Sequence, residues 1–202
     1  MNDRQKWARE NWDRGLSYQA WKKTMTRNLD RVEANEQKVD LPAADRAAIA
    51  GLKSPVKVVV LAADWCGDVI ANLPVLGRLA RETKTLDARV FERDAEGSPI
   101  DMYLKEGQFK SIPVFAFFDQ QWNELGVFTE RPDTVTDLRA KKRAEVYASR
   151  PEFGSPDQPA DQLPEDVRAS LGAELQKMRD DTRDWANAEV VRHIRQIVEK
   201  AA

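Results

Sequence analysis

One nearly unbroken apolar run, residues 56–63, most constrains what this chain can fold into, because only Lys57 interrupts it. Such a run is typical of a central β-strand that is covered on both faces. The sequence Trp-Cys-Gly-Asp-Val follows at residues 65–69, and Cys66 is the only cysteine in 202 residues. We therefore predict a buried strand followed by a helix, with the one thiol of the chain at the start of that helix.

The region after the thiol alternates between predicted helix and predicted strand. Apolar residues recur at helical spacing from Val69 to Ala80, and Pro74 inside this stretch removes one backbone hydrogen bond, so we expect a kinked helix. A second strand is predicted at residues 88–92. Because a strand, a helix and a strand of these lengths form a right-handed crossover, the two strands should be parallel.

The rest of the central region predicts a short helix, a hairpin and a longer helix. Ser98 has the pattern of an N-cap, which predicts a short helix over residues 99–106. Residues 112–118 predict a buried strand entered through a proline, and residues 124–128 predict its hairpin partner. A further helix should follow from Arg131.

Helical patterns flank this region on both sides. Residues 17–39 carry apolar side chains at three- and four-residue spacing, which predicts one amphipathic helix with Ser17 as its N-cap. A second, shorter helix is predicted after Pro42. Four prolines within residues 150–164 indicate an irregular connector. Beyond it, the apolar spacing fits either one long helix or two in series.

The composition excludes several classes of function. A net charge of −2, from 32 basic and 34 acidic residues, gives no electrostatic footprint for nucleic acid. No run approaches the ~18 apolar residues of a membrane span, and residues 1–20 lack the apolar stretch of a secretory signal, so we expect a cytoplasmic protein without a membrane partner. One histidine and one cysteine are too few for a structural zinc site. We expect neither a metal nor another cofactor.

The reactivity of Cys66 depends on its ionisation. At the start of a helix, the helix dipole favours thiolate, which is the reactive form of cysteine. The carboxylates of Asp64 and Asp68 oppose thiolate formation, and the sequence does not fix which influence is larger. Our hypothesis is that the pKa of Cys66 is lowered. The alternative is a buried cysteine that packs as a small hydrophobic residue and is inert.

The order of these elements resembles the thioredoxin fold over residues 54–149. Three features carry the resemblance: Trp65-Cys66-Gly67 at the helix start, Pro74 eight residues after the cysteine, and Ile112-Pro113 at the entry to a later strand. The wider pattern includes Asp68, Asn72-Leu73-Pro74, Arg93-Asp94, Ser111 and Glu130-Arg131-Pro132. It looks like a group of bacterial thioredoxin-like proteins that combine a single-cysteine Trp-Cys-Gly-Asp motif with helical additions. The resemblance implies an α/β fold with a central mixed sheet flanked by helices.

The resemblance also divides the chain into three parts. Residues 1–53 would form an N-terminal helical extension packed on the core, and residues 54–149 the thioredoxin-like domain. Residues 150–202 would form a proline-rich connector and a C-terminal helical extension. The apolar positions of the terminal helices suit packing on the sheet of the same chain or pairing in a homodimer.

The resemblance implies thiol chemistry, with one departure. In thioredoxins a second cysteine resolves the mixed disulfide, whereas this chain has Val69 at the matching position. A mixed disulfide at Cys66 would therefore need an external thiol for its release. We expect a monothiol thiol-disulfide oxidoreductase that acts on a protein disulfide or a low-molecular-weight thiol, with Trp65, Gly67 and Asp68 shaping the loop. The alternative is a non-catalytic thioredoxin-fold module that binds a peptide or a protein.

Two further segments complete the expected substrate site. By the resemblance, Pro113 is cis and leaves the backbone of Ile112 free to pair with an extended substrate, so that both residues form one wall. Arg93 follows the second predicted strand, and ligands of open α/β sheets gather at the carboxyl ends of parallel strands. Its guanidinium would hold a substrate carboxylate; an ion pair with Asp94 is an equally good interpretation.

Overall fold

The structure is a computed structural model and describes residues 1–201, which contain eight α-helices and four β-strands. The helices are α1 (Asp3–Asn11), α2 (Tyr18–Lys22), α3 (Leu29–Lys38), α4 (Ala43–Ala50), α5 (Gly67–Thr83), α6 (Asp133–Ala148), α7 (Glu165–Asp181) and α8 (Arg183–Val198). The strands are β1 (Val56–Ala62), β2 (Leu86–Glu92), β3 (Val114–Phe118) and β4 (Glu124–Thr129). No helix within this described part combines the length and the apolar character needed to cross a membrane.

The four strands form one mixed sheet in the order β2-β1-β3-β4. β1 is parallel to β2 and antiparallel to β3, and β3 is antiparallel to β4, so the predicted parallel pair and the predicted hairpin are confirmed. β1 and β3 are the central strands. Every residue of β3 is buried, as is every residue of β1 except Lys57. Coverage of both faces explains why these two sequences are continuous apolar runs and do not alternate.

Helices cover the sheet and continue the same hydrophobic core. α5 packs against α3, α4, α8 and β2, and α8 also contacts β4. One cluster of buried side chains extends from Ala8 in α1 to Val198 in α8. A second, smaller cluster of Tyr147, Phe153 and Leu171 holds α6 and α7 together. The α/β fold with helical extensions at both ends is therefore the one that the resemblance implies.

The segment between α1 and α2 protects the outer edge of the sheet at β2. Leu16 and Val90 exchange two backbone hydrogen bonds, of 3.0 Å from Leu16 N and 2.7 Å from Val90 N. Ser17 then caps α2 by accepting a hydrogen bond from Ala20 N at 3.2 Å, as the sequence predicts. The unpaired backbone groups of an edge strand can pair with a strand of another chain. The hydrogen bonds with Leu16 make the backbone groups of Val90 unavailable for such pairing.

The single helix predicted over residues 17–39 is wrong, because the chain turns between α2 and α3. Asn28 has a left-handed backbone conformation with a φ of 58°. The Asp64 carboxylate accepts hydrogen bonds from the backbone N–H groups of Thr26 at 2.8 Å and Arg27 at 3.0 Å. Although burial alone would raise it, these hydrogen bonds hold the pKa of Asp64 below its usual range. Asp64 lies 38 positions from Thr26, so local periodicity cannot reveal the turn that it stabilises.

The helix predicted over residues 99–106 is wrong in its length. Only Pro99–Met102 forms a helical turn, of the 3-10 type, and the Ser98 side chain does not cap it. Ser98 Oγ is buried without a hydrogen-bond partner among the described residues. Farther along, Glu106 and Gly107 have φ angles of 53° and 70°, which are incompatible with a right-handed helix.

The C-terminal apolar pattern belongs to two helices in series. α7 and α8 meet at Thr182, whose Oγ1 donates a hydrogen bond to the Met178 carbonyl oxygen at 2.9 Å. Before α7, the connector is irregular except for the short 3-10 turns Pro151–Phe153 and Ala160–Gln162. One long helix and two helices in series would show the same spacing of apolar residues, so the sequence alone does not distinguish them. The break at Thr182 shows that there are two helices.

Gly77 lies where α5 crosses the aromatic ring of Tyr18 in α2. A Cβ atom at this position would come within 2.4 Å of Tyr18 Cε1, so a larger side chain has no room. We expect Gly77→Ala to lower the free energy of unfolding by roughly 1–3 kcal/mol, the usual cost of overpacking, despite the better helix propensity of alanine. Urea unfolding followed by circular dichroism measures this change.

Gly172→Ala in α7 is the matched control, because nothing lies within 4 Å of the added Cβ atom. This variant should be as stable as the wild type or more stable by about 0.5–1 kcal/mol. Equal stability of the two alanine variants would show that Tyr18 moves aside at no cost, and the packing argument would then fail.

Candidate functional site

Cys66 lies between β1 and α5, as the sequence predicts, and is the N-cap residue of α5. Its Sγ donates a weak hydrogen bond to the carbonyl oxygen of Ile112 at 3.5 Å. The peptide bond between Ile112 and Pro113 is cis, which confirms the expectation from the resemblance. Cys66 as a residue is partly exposed. The structure therefore brings a partly exposed Cys66 into contact with the proline wall.

Burial raises the pKa of the Cys66 thiol above its ordinary value. The negative charges of Asp68 and Glu130 raise it further, whereas the backbone amides of Val69 and Asp68 oppose these effects. The hypothesis of a lowered pKa is wrong, because the positive end of the helix dipole does not offset the loss of hydration.

Trp65 and Arg93 form the exposed side of the site. Trp65 is 48% exposed, and the guanidinium of Arg93 lies 5.4 Å from the centre of a Trp65 ring, a cation–π distance. Arg93 Nη1 pairs with Asp94 at 2.6 Å, and Arg93 Nε donates to the Lys110 carbonyl oxygen at 3.1 Å. The ion pair with Asp94 is therefore present, and it coexists with the placement of Arg93 beside Trp65.

Gly67 and Asp68 begin α5 directly after the thiol. Gly67 is exposed, and an added Cβ atom would meet nothing within 4 Å, so packing does not require glycine there. The Asp68 carboxylate pairs with Arg131 at 2.9 Å, and Arg139 lies 4.0 Å away. Burial raises the pKa of Asp68, and the charge of Glu130 adds to this effect, although Arg131 opposes it. Asp68 is thus a desolvated carboxylate between the thiol and two arginines.

Glu130 connects the proline wall with nearby cations, and it is not among the site residues predicted from the sequence. Its backbone N–H donates to the Pro113 carbonyl oxygen at 2.8 Å, and its carbonyl oxygen accepts from Asn72 Nδ2 at 2.7 Å. Its carboxylate binds Lys105 at 2.7 Å and also Arg131. The Glu-Arg-Pro pattern in the resemblance is the sequence signal that points to Glu130. Lys105 lies in an irregular segment and has no comparable signal.

The predicted site residues meet at one end of the sheet. Residues 65–68 follow β1, Arg93 follows β2, and residues 112–113 precede β3. Arg93 N donates to the Ala62 carbonyl oxygen at 2.8 Å, which fixes the end of β2 beside the end of β1. Among residues 1–201, no group of three or more His, Cys, Asp or Glu side chains is arranged to hold a metal ion.

The sequence matches a family model described as thioredoxin over residues 15–145, more than half of the chain. None of the curated proteins compared with the sequence matches it significantly.

Two solved structures have a similar fold. One is the 1.5 Å crystal structure of a protein of unknown function from Pseudomonas aeruginosa, with 20% sequence identity and a TM-score of 0.66. The other is an HIV epitope scaffold, with 19% identity and a TM-score of 0.65. Each alignment covers 96% of this chain and 98% of the other. At these identities the likeness establishes the fold alone.

Alkylation of Cys66 should be slow in the native protein at neutral pH and should accelerate as the pH rises. Only the thiolate reacts, and a raised pKa keeps it a minor species until the pH passes the ordinary thiol value of about 8.5. We expect the iodoacetamide rate of the native protein to reach half of its plateau at a higher pH than the rate of the urea-unfolded protein. The reverse order of the two midpoints would refute the effect of burial.

Asp68→Asn should lower the pKa of Cys66, because it removes a negative charge that opposes thiolate formation. The alkylation profile should move to lower pH by up to about one unit, with a faster reaction at pH 7. Asp157→Asn makes the same change of charge at an exposed position of the connector and serves as the control. An unchanged profile in folded Asp68→Asn, or an equal shift in the control, would contradict this account.

Proposed function

The chain belongs to the thioredoxin family, and from this premise we propose that it is a monothiol thiol-disulfide oxidoreductase that works through Cys66 with an external resolving thiol. One observation carries the proposal: Cys66 is partly exposed, and its Sγ lies 3.5 Å from the Ile112 carbonyl oxygen, beside the cis Pro113. Val69 occupies the place of a second cysteine and is fully buried, and no other cysteine exists in the chain. A resolving thiol must therefore come from another molecule.

The proposed reaction consists of two exchange steps. The Cys66 thiolate attacks one sulfur of a substrate disulfide, forms a mixed disulfide with it and expels the other sulfur as a thiolate, which takes up a proton. An external thiolate then attacks the substrate sulfur of the mixed disulfide, which breaks the bond to Cys66 and restores its thiolate. The external thiol ends as a new disulfide with the substrate sulfur, and the first leaving group ends as a free thiol, so electrons and protons balance.

Side chains around the sulfur support binding of an extended or charged substrate. Trp65, which directly precedes Cys66, is 48% exposed and offers apolar contact area for a protein disulfide. Arg93, held against Trp65, supplies a cation that suits the carboxylate of a low-molecular-weight thiol. Its existing pair with Asp94 is exposed, so a substrate carboxylate can compete with it.

A second function, a non-catalytic module that binds a peptide or protein, is favoured by the raised pKa of Cys66. A thiol that stays protonated at neutral pH exchanges slowly, since only the thiolate attacks a disulfide. The same proline wall and the exposed Trp65 would then serve binding without bond exchange. Reactivity of the native thiol separates the two functions.

Native protein incubated with oxidised glutathione should gain one adduct by intact mass, which dithiothreitol removes. The adduct should form faster at pH 9 than at pH 7, because the thiolate fraction rises over this interval. Cys66→Ser should form none. With reduced glutathione, glutathione reductase and a small disulfide, the wild type should raise NADPH consumption above the uncatalysed rate, and the Cys66→Ser variant should leave it at that rate.

Urea-unfolded wild type provides the control that the thiol itself is intact, since it should form the same adduct whatever the native reactivity. A native protein that forms no adduct even at pH 9, while its unfolded form does, would reject the oxidoreductase and support the binding module. An adduct without turnover would show that no external thiol reaches the mixed disulfide.

A further inference from the structure

A cavity of about 470 Å³ lies beside the first turn of α5, where α3, α5, α6, α7 and α8 meet. It borders Gly67 and Asp68. Six basic residues line it: Arg31, Lys38, Arg131, Arg139, Arg179 and Arg183. Because α3 precedes the sheet in sequence and α7 and α8 follow it, the helices at both ends of the chain are needed to form this cavity.

The charge of the cavity differs in sign from that of the whole chain. Its six basic residues face only two acidic ones, Asp68 and Asp180, whereas the chain carries a net charge of −2. Within residues 1–201, Arg31, Lys38 and Arg179 make no ion pair. The cavity therefore concentrates positive charge that neighbouring carboxylates do not neutralise.

Arg139 is the least compensated of these cations. Its side chain is only 18% exposed, and its nearest carboxylate oxygen, on Asp68, is 4.0 Å away and belongs to a group already bound by Arg131. Burial lowers the pKa of Arg139, and the positive charges of Arg131 and Arg179 lower it further. The Nε atoms of Arg131, Arg139 and Arg183 are buried without a hydrogen-bond partner in the described chain. Arg131 and Arg183 each pair with two carboxylates. Arg139 is therefore the largely buried cation that has no carboxylate of its own.

Asn187 in α8 adds an independent polar group. It is only 6% exposed and lines the cavity. No hydrogen bond of the described residues involves its side-chain amide, although buried amides are normally paired. The Asn187 amide borders the cavity and has no hydrogen-bond partner among residues 1–201, so it is available to a ligand.

We propose that this cavity binds a small molecule that carries a diphosphate group. Guanidinium groups match the geometry of phosphate oxygens. Each phosphate also carries more negative charge and more hydrogen-bond acceptors than a carboxylate, so a diphosphate can neutralise several unpaired cations at once. The volume of about 470 Å³ lies within the range of small-molecule sites. The diphosphate comes either from inorganic pyrophosphate or from a nucleoside diphosphate. This inference is independent of the thiol chemistry.

The test is calorimetric titration of the full chain with pyrophosphate, ADP and citrate at low and physiological salt. Saturable binding of pyrophosphate or ADP at one site, weakened by salt, supports the proposal. Tighter binding of ADP assigns a nucleotide source, and tighter binding of pyrophosphate assigns an inorganic one. The absence of saturable binding, or tighter binding of citrate than of both phosphates, overturns the diphosphate assignment.

Charge variants locate the bound anion. Arg139→Gln and Arg179→Gln should each weaken binding by about tenfold, since each removes a charged contact to phosphate. Lys177→Gln lies on α7 outside the cavity, makes the same change of charge, and should leave the affinity unchanged. An equal loss of affinity in all three variants would show that binding depends only on the net charge of the protein, and this result would refute the site. If Arg139→Gln fails to fold, Arg179→Gln still tests the site, because Arg179 is exposed. Cys66→Ser should bind the anion with the same affinity as the wild type, because the site does not depend on the thiol.

Discussion

The pairing of β1 with two neighbours of opposite direction is the constraint on which the site depends. Ala62 is in register with Glu92 in the parallel strand β2, and Leu61 is in register with Val114 in the antiparallel strand β3. The end of β1 is therefore held beside the end of β2 and the beginning of β3. Burial of β1 disfavours a change of register, since a shift by one residue would move Lys57 into the fully buried position of Val58.

Electrostatics at the thiol oppose the simple expectation from a helix start. The dipole of α5 favours thiolate, but Cys66 is desolvated and lies close to Asp68 and Glu130. Both carboxylates are paired with cations. Arg131 pairs with both Asp68 and Glu130, and Lys105 pairs with Glu130 as well. The arginines that hold Asp68 near the sulfur belong to the cation cluster of the neighbouring cavity. The charge of the thiol site and that of the cavity are thus linked through Asp68.

Most of the central fold could be predicted from the sequence, because its signals are local. The apolar run of β1, the helix that begins after Cys66 and the strand entered through Pro113 all appear where their residue patterns place them. The break between α2 and α3 could not be predicted, since Asp64 stabilises it from a distant position. The N-cap pattern at Ser98 misleads for the opposite reason: the local signal is present, but its hydroxyl forms no cap.

The site could be predicted only in part, for a physical reason. Trp65, Arg93 and Ile112 follow from strand ends and from the resemblance, whereas the direction of the pKa shift depends on how deeply the fold buries the sulfur. The basic cavity is even harder to predict from the sequence than the thiol site. Its arginines come from helices far apart in the chain, such as Arg31 in α3 and Arg179 in α7, and no spacing rule connects them.

The Leu16–Val90 bridge bears on whether the edge of the sheet at β2 can pair with a strand of another molecule. The bridging residue is tethered to the strand that it covers, so it competes for Val90 at an effective concentration that free molecules do not reach. Sheet-to-sheet association through β2 therefore requires that the tethered residue first be displaced. The segment before α2 acts as an intramolecular competitor against such association, in addition to its contribution to the core.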